Sequence, residues 1–155
     1  MAGTPHAERP SLEAKNPFVL RVNLGADVPE TDVRSALASG DMGFLHSFTT
    51  GSTVDGPGVR VVAWTTGCMF RCQFCHNPDT WTVRNGIPVA ATKAVEQLRK
   101  YRQGLKVMAG GLTISGGEPL MQTRFVLKRF QAAKSMGVHT AIDTTGYLGD
   151  RLTDE

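Results

Sequence analysis

The sequence contains no apolar run approaching the roughly 20 residues that span a bilayer. Its start, Met1 to Pro10, lacks the apolar stretch of a secretory signal. Runs of Lys and Arg are missing too. A net charge of +3 over 155 residues is too small and too scattered to argue for nucleic acid. No internal repeat or low-complexity tract is present. These absences set the expectation of a cytoplasmic protein with neither a membrane nor a nucleic-acid partner. Apolar residues make up 41% and charged residues 20%. That composition suits a globular chain with one core-bearing domain and argues against broad disorder.

Cysteine is scarce as well, with three in the chain, and Cys68, Cys72 and Cys75 crowd into one short segment. An odd number cannot close into disulfides without a leftover. In a reducing compartment such thiols more often serve metal or redox chemistry.

Residues 1–43 read as a partly flexible N-terminal extension. Within it, Phe18 to Asn23 suits a short strand. Thr31 to Ser39 suits a short helix, with Pro29 before it and Gly40 after it. Residues 44–155 read as the main domain, with an α/β pattern. Val59 to Thr65 is β-branched and aromatic, a strand, and a long loop carrying the cysteines follows. Ala94, Leu98 and Tyr101 give Thr92 to Arg102 a helical period, with Gly104 as its stop. Leu112 to Ser115 is a second strand, ending in Gly116-Gly117. Thr123 to Met136 is a second helix, closed by Gly137, and Val138 to Asp143 is a third strand. Strands alternating with helices predict right-handed crossovers and a parallel sheet. Ligands gather at the carboxyl ends of such strands. The cysteines, Gly116-Gly117-Glu118 and Asp143-Thr144 all fall there.

The spacing Cys68-x-x-x-Cys72-x-x-Cys75 lets three thiolates converge on one centre, and thiolates suit zinc or iron–sulfur clusters. Structural zinc wants a closed tetrahedron of four ligands. His76 makes a site of three cysteines and one histidine conceivable, but adjacent residues such as Cys75 and His76 rarely reach one ion without strain. A four-iron cluster on three cysteines would instead leave one iron open to a substrate.

The same motif, with Phe74 before its last cysteine, resembles the radical SAM superfamily. Around it, Gly51 to Arg60 (GSTVDGPGVR), Thr66-Gly67-Cys68 and Cys75 to Trp81 (CHNPDTW) resemble the activating enzymes of glycyl radical enzymes. The resemblance runs from about Phe44 to Gly146. It implies the N-terminal portion of a partial (β/α)6 barrel with parallel strands. It also implies a [4Fe-4S] cluster held by Cys68, Cys72 and Cys75, with S-adenosylmethionine (SAM) on the open iron. Phe74 and the main chain of Cys75 and His76 would lie at the adenine. Gly116, Gly117 and Glu118 would meet the methionine part. Asp143 and Thr144 would lie near SAM and help ligate a monovalent cation. Thr145 stands where the family usually has Asn. The Asp55 to Gly58 turn is read first as structural support, and Trp81 as an anchor.

The activity implied is one-electron cleavage of SAM to a 5′-deoxyadenosyl radical, which takes a hydrogen atom from a glycine of a partner protein. Flavodoxin or ferredoxin would supply the electron. No general acid or base is needed, so no catalytic side chain is expected. Pyruvate formate-lyase is the favoured partner, because no further ferredoxin-like cysteines follow Trp81. The chain stops at Glu155, soon after the third strand, where family members continue; alone it is expected to bind SAM poorly and to be inactive or weakly active. The alternatives are a non-catalytic iron–sulfur or redox-sensing fragment, and a zinc-stabilised interaction module.

Overall fold

The structure, a computed structural model, describes Ser35 and residues 38–152. Its strands are β1 (Met42–Ser52), β2 (Arg60–Thr65), β3 (Ile87–Ala90), β4 (Gly111–Gly116) and β5 (His139–Ile142). Two long helices accompany them, α1 (Ala91–Val107) and α2 (Thr123–Ser135). The strands form one sheet in the order β3-β1-β2-β4-β5.

The expected parallel unit is present: β2 pairs parallel with β4, and β4 with β5. The sheet as a whole is mixed, which corrects the all-parallel expectation. β1 runs antiparallel to both β2 and β3. The physical reason is the short Asp55–Gly58 turn, which returns the chain directly beside β1, as only antiparallel neighbours can be joined. The β1 sequence, MGFLHSFTTGS, carries little strand signal, being neither clearly alternating nor rich in β-branched residues. β3 contains Pro88 and lies at the sheet edge, where a missing N–H is tolerated.

Met42 opens β1 and is only 1% exposed. The sheet therefore begins just before the boundary at 43/44 suggested by the sequence. The Phe18–Asn23 strand lies outside the described residues. Of the Thr31–Ser39 helix, the described Ser35, Ala38 and Ser39 are helical.

Both helices end in the same way. At the end of α2, Gly137 adopts φ 69°, its N–H donates to Lys134 O, and the Val138 N–H reaches back to Ala133 O. This is a Schellman pattern, with the expected Gly137 in its left-handed position. α1 runs through Gly104, the expected stop, and continues to Val107 because Leu105 belongs to the buried core. Its Schellman bonds are Ala109 N–H to Lys106 O and Gly110 N–H to Leu105 O. Ala109 takes the left-handed position at φ 48°. Gly110 is needed one residue later, where a Cβ would lie 1.7 Å from Val59 O.

One face of the sheet is apolar. Val61 and Ala63 of β2 and Leu112 and Ile114 of β4 pack in one core with Leu98 of α1 and Phe125 of α2. Alternation along the strands sends Arg60, Val62 and Trp64, with Thr113 and Ser115, to the opposite face. That face is polar, and it carries the candidate site.

Candidate metal centre

The cysteine loop leaves the carboxyl end of β2 and is pinned where it begins and ends. Gly67 N–H donates to Thr80 O at 2.7 Å and Cys68 N–H to Trp81 O at 3.0 Å. Gly67 holds φ 99°, and a Cβ there would come within 2.8 Å of Val83 Cγ2. Thr80 is fully buried, and its hydroxyl closes the turn by donating to Asn77 O. Inside the loop, the Arg71 guanidinium lies 4.9 Å from the Trp81 ring and donates to Cys68 O at 2.8 Å. Trp81 thus anchors a cation that itself fixes the carbonyl of the first cysteine. Cys75 N–H donates to Cys72 O, a tight turn between the second and third cysteines.

All three cysteines are free thiols, Cys72 exposed and the other two partly so. Among the described residues, no three His, Cys, Asp or Glu side chains stand close enough to hold a single metal ion. The fit of an iron–sulfur cluster therefore rests on donor chemistry: three reduced, reachable thiols on one loop whose ends are fixed. Phe74, next to the last cysteine, is 89% exposed. His76 is turned toward the polar face of the sheet and sits edge-on to Trp64, ring centroids 6.4 Å apart.

The segment after β4 is stitched to the cysteine loop. Gly117 N–H donates to Thr65 O, and Glu118 N–H to Gly67 O at 2.7 Å. Gly116 has φ 121°, and a Cβ there would meet Thr65 O at 2.2 Å. A Cβ on Gly117 would meet Gly67 O at 2.3 Å. Both glycines are required by backbone approaching backbone.

The segment after β5 joins the same assembly. Asp143 N–H continues the ladder to Ile114 O, and Ser115 Oγ donates to Asp143 Oδ2 at 2.7 Å. Glu118 is fully buried. Its Oε1 accepts from Leu120 N–H at 2.9 Å and Thr144 Oγ1 at 2.6 Å. Its Oε2 accepts from Thr145 N–H at 2.9 Å and Thr145 Oγ1 at 2.6 Å. Burial alone would raise the carboxyl's pKa, but these hydrogen bonds outweigh it and hold the group below the ordinary glutamate value.

The structure thus brings Gly116, Gly117, Glu118, Asp143 and Thr144 together and ties them to the root of the cysteine loop. Phe74 and His76 lie further out on that loop.

Three further side chains, beyond the site residues expected from the sequence, support this assembly. Gln122 accepts from Phe44 N–H and donates to Phe44 O and Thr66 O, each at 2.8 Å, bracing β1 against the cysteine loop. Ser115 orients Asp143. Arg60, fully buried, donates to Thr113 Oγ1 at 2.9 Å, Pro57 O at 3.1 Å and Leu112 O at 2.7 Å, and to His139 Nδ1 at 3.0 Å. Thr113 Oγ1 in turn donates to Asp55 O at 2.7 Å. The Asp55–Gly58 turn is therefore fastened beneath the polar face of the sheet. In the sequence Arg60 stands as the last residue of the Gly51–Arg60 motif, and the four groups it bonds come from the structure alone.

Comparison with known proteins adds an independent line. The family described as "4Fe-4S single cluster domain" matches residues 54–155. The pyruvate formate-lyase-activating enzyme of Listeria monocytogenes is 46% identical over 105 residues, 68% of this chain and 42% of that protein. The pyruvate formate-lyase 1-activating enzyme of Escherichia coli (strain K12) is 41% identical over 116 residues, 74% of this chain and 47% of that protein. The Clostridium pasteurianum pyruvate formate-lyase-activating enzyme is 42% identical over 106 residues, 68% of this chain and 44% of that protein. The chain spans less than half the length of the curated relatives it matches.

Proposed function

This chain belongs to the 4Fe-4S single cluster domain family, and on that premise we propose that it is the cluster- and SAM-binding portion of a radical SAM enzyme that activates a glycyl radical protein. The observation that carries the proposal is the joining of three free cysteines, on one pinned loop, to the Gly116–Glu118 and Asp143–Thr145 segments at the carboxyl ends of β2, β4 and β5.

In this reading Cys68, Cys72 and Cys75 hold the cluster. The exposed ring of Phe74, with the main chain of Cys75 and His76, flanks the adenine. Gly116 and Gly117 bring backbone close to the amino-acid end of SAM. Asp143 has one oxygen fixed by Ser115 and, together with Thr144, offers hard oxygen donors to an ammonium group or a monovalent cation. When bound, the reduced cluster and SAM supply a 5′-deoxyadenosyl radical for hydrogen abstraction from a glycine; the protein supplies placement. No side chain needs to move a proton. β2, β4 and β5 are the first strands of a partial (β/α)6 barrel.

Pyruvate formate-lyase is the favoured partner, as the names of the relatives support. A flavodoxin or ferredoxin is the electron donor, and the reducing cytoplasm is the setting that keeps the three thiols free. Among the described residues no helix is long and apolar enough to cross a membrane.

The test is electron paramagnetic resonance (EPR) of the anaerobically reconstituted, reduced protein with and without millimolar SAM. A spectrum altered by SAM is expected. A cluster whose spectrum ignores SAM would leave the non-catalytic iron–sulfur reading in its place.

A further inference from the structure

A carboxylate offers about four acceptor positions, and Glu118 has all of them filled. Leu120 N–H and Thr144 Oγ1 occupy Oε1; Thr145 N–H and Thr145 Oγ1 occupy Oε2. The side chain has no solvent exposure. Nothing is left to accept from a ligand, and no open surface admits one. Its backbone N–H is spent on Gly67 O.

The residues it bonds lie on three segments. Leu120 follows β4, Thr144 and Thr145 follow β5, and Gly67 precedes the first cysteine. Thr145, at the position where Asn is usual, contributes both a backbone and a side-chain donor. Thr144 Oγ1, while donating to Glu118, accepts from Gly146 N–H at 3.1 Å. Four donors of the 144–146 segment therefore converge on Glu118 directly or through one hydroxyl. Asp143, one residue earlier, is aimed by Ser115 and by the backbone ladder.

We propose that Glu118 and Thr145 form a buried latch: they are positioning residues that hold the Asp143–Thr144 segment in register with the cysteine loop, and Glu118 does not itself touch SAM. The latch is a property of the protein alone. Its consequence for SAM rests on the functional reading above, through Asp143 and Thr144.

The test uses the cluster-loaded full chain and three variants, Thr145→Val, Thr145→Ser and Glu118→Gln. Thr145→Val removes one hydroxyl at an exposed residue and should fold. Amide hydrogen exchange at Thr145 and Gly146 reads the latch without any ligand. Losing one charge-assisted bond should speed exchange there by about tenfold, while α2 and β4 keep wild-type protection. Thr145→Ser, which keeps the hydroxyl, should restore slow exchange. Glu118→Gln turns an amide N–H2 toward existing donors and should loosen the segment further. Unchanged exchange at 145–146 in Thr145→Val and Glu118→Gln overturns the latch; so does acceleration spread equally over α2 and β4.

A second readout is the SAM concentration that half-saturates the EPR change. It should rise about tenfold in Thr145→Val and return in Thr145→Ser. An unchanged midpoint in Thr145→Val overturns the positioning role. If the wild-type spectrum ignores SAM, the functional reading fails, and the exchange data still decide the latch.

Discussion

The amide of Glu118 donates to the carbonyl of Gly67, the residue before Cys68, at 2.7 Å. The turn after β4 and the root of the cysteine loop are therefore one piece of backbone structure rather than two loops that happen to meet. Displacing either displaces the other.

Gly117 sits at this junction, where an added Cβ would lie 2.3 Å from Gly67 O and 3.0 Å from Thr80 O. Both obstacles are backbone, so no side-chain rotation can relieve them. Gly117→Ala should cost about 1–3 kcal/mol in urea unfolding and lower the cluster content after reconstitution. Wild-type stability in this variant would show that the two loops can slide apart freely.

Gln122 ties β1 to the root of the cysteine loop. Its amide bonds both the N–H and the C=O of Phe44 and also Thr66 O. Gln122→Ala should destabilise the chain by about 1–3 kcal/mol by taking away the partner of Phe44 N–H and of Thr66 O, while Phe44 O keeps the Thr66 N–H at 3.1 Å. Gln122→Glu is the sharper probe. A carboxylate there faces two carbonyl oxygens, so the variant should be weaker than Gln122→Ala at neutral pH and recover in acid, as the carboxyl regains a donor. The comparison is made by unfolding at both pH values; a Gln122→Glu variant indifferent to pH contradicts this account.

Arg60 is a fully buried cation whose planar fork reaches Thr113, Pro57, Leu112 and His139. Burial lowers its pKa. A lysine cannot reproduce donors spread in this way. Arg60→Lys should therefore lose about 3 kcal/mol, close to the loss in Arg60→Met. Full rescue by lysine, measured as thermal midpoint, would mean that charge alone is needed.

The acid dependence of Glu118 has a definite sign. Folding lowers its pKa from an ordinary value of 4.5, since hydrogen bonds from Thr144, Thr145 and Leu120 overcome the opposing effect of burial. A carboxyl lowered on folding stabilises above its unfolded pKa and loses that contribution as pH falls through the folded one. The stability gap between wild type and Glu118→Gln should therefore be full at neutral pH and shrink below about pH 4.5. Urea midpoints of the cluster-free chain across that range check it; a gap that widens in acid has the wrong sign.

The parts of the molecule governed by local rules were legible in the sequence. Ala94 and Leu98 gave the first helix, Gly137 the end of the second, and β2, β4 and β5 stood out by β-branched content. The cysteine spacing and the two glycines after β4 marked the candidate site. What escaped was set by tertiary context. β1 has weak strand character and is defined by its neighbours. Gly104 looked like a stop, but Leu105 had core to fill. The saturation of Glu118 and the span of Gln122 depend on pairs far apart in the chain, and no single-sequence pattern reports them. Thr145 was visible as a departure from the usual Asn, and only the structure shows that its hydroxyl bonds Glu118.

The central claim is that Cys68, Cys72 and Cys75 carry a cubane with one open iron. Anaerobic reconstitution followed by iron, sulfide and zinc analysis addresses it most directly. About four irons and four sulfides per chain are expected, falling sharply when any one of the three cysteines is changed to serine. A colourless protein holding one zinc and no acid-labile sulfide would contradict it.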